Sequence, residues 1–94
     1  MTYAVKGIVQ GHVQGVGFRY HLKQAVESTQ IVGHALNLPD RTVEVLLIGT
    51  PEEIASVQSA AQEGPRYARV DSINWEDVET HLIETLAIEG FRIG

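Results

Sequence analysis

The chain has no cysteine. No disulfide can brace it, and neither a thiolate nucleophile nor a cysteine-ligated zinc is open to it. Proline is scarce, at three residues, and no repeat, linker or low-complexity stretch is present. A chain that is 44% hydrophobic and 20% charged fits a globular domain rather than a disordered or fibrous one. No stretch approaches the ~18 apolar residues of a transmembrane helix. Lys6 and Gln10 interrupt residues 1–11 before a signal-peptide core can form. Cationic side chains are few, with seven Lys and Arg against twelve Asp and Glu, a formal charge of −5. A non-specific nucleic-acid binder carries the opposite balance. The expectation is one small cytoplasmic domain over residues 1–94, with no membrane or nucleic-acid partner and no need to be more than a monomer.

One absence is local. No acid precedes Glu27, so residues 1–26 carry Lys6, Arg19 and Lys23 unopposed, a net +3. Residues 51–94 hold nine acids against Arg66, Arg69 and Arg92, a net −6. An anionic ligand therefore prefers the N-terminal part of the chain.

Hydrophobic periodicity orders the elements. Residues 3–12 alternate with period two and read as a strand. Phe18, Leu22, Ala25 and Val26 fall at i, i+4, i+7 and i+8, the buried stripe of a helix over 18–28. Residues 31–36 and 42–48 read as two strands joined by the turn Leu38-Pro39-Asp40-Arg41, the second strand apolar on both faces. Thr50-Pro51-Glu52-Glu53 predicts a helix start with Thr50 as N-cap and Glu53 completing a capping box; Gly64-Pro65 stops that helix. Residues 68–76 read as a fourth strand, with Trp75 and Phe18 expected in the core. Val78, Leu82 and Leu86 have helical spacing in a segment otherwise open to an irregular loop, and Phe91-Arg92-Ile93 suits a short closing strand. The order β-α-β-β-α-β predicts an α+β fold, the ferredoxin-like plait: a four-stranded antiparallel sheet, with a short fifth strand allowed, and two helices on one face. Other α+β arrangements share this order.

The segment that carries chemistry is Gly11-His12-Val13-Gln14-Gly15-Val16-Gly17-Phe18-Arg19. It ends a strand and opens a helix. Glycines there let successive backbone N–H groups converge, and the helix N-terminus adds partial positive charge. Arg19 can fork two donors onto the same oxyanion. Neither the dinucleotide spacing G-x-G-x-x-G nor the Walker spacing G-x-x-x-x-G-K-[S/T] is met. A plain strand-to-helix turn accounts for the same glycines without a ligand. Arg19 and the missing acids tilt the balance to an anion site. The histidines His12, His21, His34 and His81 lack metal spacing, and Glu76, Asp77 and Glu79 read as a solvated edge. No cofactor or metal is expected.

Gly11-x-Val13-Gln14-Gly15-Val16-Gly17-Phe18-Arg19 resembles the signature of the acylphosphatases. The second signature of that family, a glycine-led strand ending in Asn followed by a turn and a Val-rich strand, is similar to residues 33–45. Gly64-Pro65-Arg66-x-Ala68-x-Val70 and Gly90-Phe91-Arg92-Ile93 extend the resemblance over most of the chain. His34 stands where the family usually has an aromatic residue, Leu36 where it is commonly polar, and residues 76–88 match no pattern. The resemblance implies metal-independent hydrolysis of acyl phosphates. It assigns Arg19 to the phosphate and Asn37 to the attacking water, with Gln14, Gly15, Val16, Gly17 and Phe18 holding phosphate oxygens through their amides. Without the resemblance, Asn37 reads as a turn residue. Two rivals share the fold. One is an RNA-binding plait, which needs stacking aromatics that residues 42–48 lack. The other is a non-catalytic acyl- or carbamoyl-phosphate module of a larger protein, which a free-standing chain with a start Met disfavours.

Overall fold

The computed structural model describes residues 2–81 and 90–94. In chain order the elements are β1 (Tyr3–His12), α1 (Phe18–Val26), β2 (Val32–Asn37), β3 (Val43–Gly49), α2 (Pro51–Glu63), β4 (Arg69–Asp77) and β5 (Phe91–Ile93). The strands form one sheet in the order β4-β1-β3-β2-β5. Pairings β1–β3, β1–β4 and β2–β3 are antiparallel, whereas β5 joins β2 in parallel. The sheet is therefore mixed, because the short closing strand runs alongside β2 instead of folding back against it. The plait and its two helices are as the periodicity predicts. The helical spacing of Val78, Leu82 and Leu86 falls mostly outside the described residues.

Side-chain alternation makes the core. Val43, Val45 and Leu47 of β3 point to the same side as Val9 and Ala35, and there they meet Phe18, Leu22 and Val26 of α1 and Ile54, Val57 and Ala61 of α2. Each large apolar side chain removed from water there contributes roughly 1.5–3 kcal/mol. The alternate residues Leu46 and Ile48 form a smaller cluster with Ala4 on the other face, which explains why β3 is apolar throughout. Trp75 is half-buried rather than fully enclosed, since β4 is an edge strand; its ring lies over the Gly7 backbone.

The α2 start keeps the predicted cap in altered form. The Thr50 hydroxyl accepts from Glu53 N at 3.2 Å. The Glu53 carboxylate accepts from the Thr50 hydroxyl and from Gln30 N, so it ties the helix start to the entry of β2 instead of reaching the N-cap amide.

Strand direction gathers one end of the sheet. The ends of β1, β2 and β5, the start of β4 and the β2–β3 turn all lie there. A bulge at Gln10/Gly11 shifts the β1–β4 register just before β1 ends. Bulges of this kind bend a strand and re-aim its last side chains. Gly11 adopts φ 134°, and a Cβ on it would lie 2.0 Å from the Arg69 carbonyl oxygen. Gly11→Ala is expected to destabilise the fold by roughly 3 kcal/mol or more, through a forced backbone shift. Urea denaturation measures it, and a midpoint equal to wild type would refute the close approach.

Candidate active site

The loop between β1 and α1 is built from two buried side-chain anchors and two left-handed glycines. Val13 and Phe18 are almost fully buried and fix its ends in the core. Between them Gly15 and Gly17 take φ 75° and 82°, a region that costs other residues about 1 kcal/mol or more. Gly17 is the N-cap of α1 and supplies no side-chain cap. Among the described residues, the amides of residues 14–18 have no backbone or side-chain acceptor. Such a run of unpaired N–H groups at a helix start is a concave donor surface for an anion. With Arg19, Tyr20 and Ile93 the loop encloses a hollow of about 100 Å³.

Gln14 does a different job with its side chain. Its Nε2 donates to the carbonyl oxygens of Leu38 and Thr42, both at 2.9 Å. The loop is thereby stapled to the β2–β3 turn, and the Gln14 side-chain amide is taken up by that turn. Arg19 is half-buried in the first turn of α1, and its Nη1 donates to the Gly94 backbone oxygen at 2.6 Å.

Asn37 closes β2. Its N–H donates to the same Gly94 oxygen at 2.9 Å. One oxygen at the end of β5 thus holds both the Arg19 guanidinium and the Asn37 backbone. The Asn37 Oδ1 is buried and has no hydrogen-bond partner among the described residues. A buried acceptor left unpaired costs about 1–3 kcal/mol, and a small donor such as water relieves it. The role of Gly94 has no signal in the sequence beyond the alternation of Phe91-Arg92-Ile93, and the Gln14 staple has none.

The other titratable groups lie apart. His21 Nε2 lies 3.1 Å from the Ala60 carbonyl and ties α1 to α2; His34 pairs with Glu44 at 2.9 Å on the sheet; His81 pairs with Glu79. His12 is exposed at the end of β1. Tyr20 and Lys23 are exposed, and Lys6 pairs with Glu76. Among the described residues no three His, Asp or Glu converge in a way that could hold a metal ion. No helix among them is long and apolar enough to cross a membrane.

A two-helix plait that brings an unpaired amide loop, a half-buried arginine and an asparagine oxygen without a described partner to one sheet end defines a small α+β protein of the ferredoxin-like class. The chain belongs to the acylphosphatase family, whose model matches residues 5–93. It is similar to the acylphosphatase of Photobacterium profundum, 40% identical over 89 residues that cover 95% of this chain and 93% of the relative. The acylphosphatase from Bacillus subtilis, a crystal structure 28% identical, superposes with a TM-score of 0.87 and covers 100% of this chain and 99% of that one. HypF from T. kodakarensis, 27% identical, superposes with a TM-score of 0.77 over 98% of this chain and 12% of its own.

The turn beside the site carries one shifted acid. The Thr42 hydroxyl, and then the Thr42 N–H at 3.0 Å, donate to the Asp40 carboxylate and hold its pKa below the ordinary aspartate value. The folded pKa is depressed, so this contribution to stability is present above the unfolded value and is lost as pH falls through the folded one. An NMR titration of Asp40 should give a midpoint below that of ordinary aspartate, and Thr42→Val should raise it. An unchanged midpoint in Thr42→Val would remove the hydroxyl as the cause.

Proposed function

We propose that this protein hydrolyses the mixed anhydride of a carboxylic acid and phosphate without a resident metal. Asn37 carries the reading, because its Oδ1 is buried with no partner among the described residues while its N–H is held by the same Gly94 oxygen that accepts from Arg19. The amides of residues 14–18 and the Arg19 guanidinium receive the phosphoryl oxygens of the substrate. Asn37 does not titrate usefully and cannot act as a base. Its Oδ1 accepts a hydrogen bond from water and orients that water toward phosphorus.

The water oxygen forms a bond to phosphorus as the bond from phosphorus to the acyl oxygen breaks. The electron pair of the broken bond leaves on the carboxylate, and the water's proton passes to a phosphoryl oxygen. Products are a carboxylate and inorganic phosphate. The transition state is loose, so positioning and charge stabilisation supply most of the rate. A carboxylate is a good leaving group, so the reaction needs neither a strong base nor a metal to stabilise it.

A binding module of the same fold is the second reading. It is favoured by the likeness to a segment making up 12% of the HypF chain. Turnover separates the two. Purified protein should hydrolyse acetyl phosphate in excess chelator. Arg19→Ala should lower kcat/KM by roughly 10²–10³, the loss typical of one transition-state donor. Asn37→Ala should lower kcat by a similar factor with circular dichroism unchanged. Absence of turnover in the wild type favours the binding module; full activity in either variant removes that residue from the mechanism.

A further inference from the structure

A second cationic group lies at the same end of the sheet, beyond the Gln14 staple. His12 ends β1, Arg69 pairs opposite it at the start of β4, and Arg41 stands in the β2–β3 turn. With Gly11, Val13 and Gln14 they line a hollow of about 400 Å³. Val13 lines both this hollow and the smaller one at Arg19. Arg41 follows Asn37 by four residues, so their Cα atoms lie at most about 14 Å apart.

Arg41 is the unusual member. The Arg41 N–H donates to the Leu38 carbonyl and the Leu38 N–H donates to the Thr42 carbonyl, which makes a tight hairpin turn. Arg41 occupies its left-handed position at φ 74°, the one non-glycine residue with positive φ among the described residues. Glycine fills such a position without the steric cost of about 1–2 kcal/mol. Backbone strain held in this way marks places where a side chain has a task. The Arg41 guanidinium has no ion pair or hydrogen bond to any described residue. Arg69 chelates Asp71, at 2.9 Å from Nε, so part of its charge is already matched. The nearby Asp40 carboxylate is taken up by Thr42.

We propose that this hollow is a subsite for a second anionic group, carried on the acyl part of the substrate, with Arg41 as the residue that binds it. The proposal rests on the acyl-phosphate reading of the neighbouring site. Phosphate held at residues 14–19 leaves the acyl group to extend past Gln14. A carboxylate at its far end meets the free fork of Arg41, with His12 and Arg69 adding donors. A neutral acyl group finds no partner there. The protein therefore prefers acyl phosphates with an anionic tail.

Two non-hydrolysable phosphonates test this without turnover. Acetylphosphonate carries no tail; succinylphosphonate carries a carboxylate. Calorimetric titration of the wild type at low ionic strength should show succinylphosphonate binding about tenfold tighter, as one exposed charge-assisted contact supplies. The advantage should shrink as salt is raised. Arg41→Gly removes the guanidinium while relieving the backbone, so its stability should not fall. It should bind the two phosphonates equally and hydrolyse acetyl phosphate at the wild-type rate. Equal binding of both phosphonates by the wild type, or a tenfold preference retained in Arg41→Gly, overturns the subsite and leaves the phosphate site standing. Failure of both phosphonates to bind overturns the phosphate site and the subsite with it.

Discussion

The backbone oxygen of Gly94 is the point on which the site depends. It accepts from the Asn37 N–H and from the Arg19 guanidinium, and so joins β2, β5 and α1 at one atom. The second of these bonds is charge-assisted and is the stronger kind. Gly94 reaches that place because β5 runs parallel to β2, with Gly94 N donating to Ala35 and Gly33 N to the Gly90 carbonyl. A strand of three residues thereby sets the separation of two side chains that stand eighteen positions apart in the chain.

On the other side of the loop, Gln14 makes the complementary tie. Its side-chain amide spans to the Leu38 and Thr42 carbonyls and locks the β1–α1 loop to the turn that follows Asn37. The apolar core fixes where α1 lies on the sheet, through Phe18, Leu22 and Val26. The core alone does not fix the loop, whose glycines have open space around them. Polar atoms of the strand ends do that. Preorganised donors of this kind are effective because they need no rearrangement as charge develops.

Much of the architecture is legible in the sequence. Period two and period 3.6 placed both helices and the first four strands within a few residues, since one buried face per element dictates the spacing. The Thr50-Pro51-Glu53 start was equally legible, although Glu53 serves Gln30 as well as its own helix. The glycine loop and Arg19 stood out by composition and charge. What was hidden follows from contacts distant along the chain. Nothing local signals that β5 pairs in parallel with β2, that Gly94 receives Arg19, or that Gln14 turns its side chain to the turn instead of to a ligand. Asn37 was legible only through family resemblance; its isolation as a buried acceptor is a property of the folded sheet. The left-handed Arg41 was hidden too, inside a turn that its Pro-Asp sequence makes ordinary.

The acidic net charge coexists with a cationic sheet end because the acids lie mainly in the second half of the chain, while Arg19, Arg41 and Arg69 are brought to the strand ends. Such a grouping of cationic side chains suits the anionic substrate proposed for that end. In the proposed reaction water there attacks phosphorus and the carboxylate departs. Hydrolysis of acetyl phosphate by the protein in water enriched in oxygen-18 tests it directly. The label is expected in inorganic phosphate, with none in acetate. Label recovered in acetate would place the attack on the carbonyl carbon and contradict the roles given to Arg19 and Asn37.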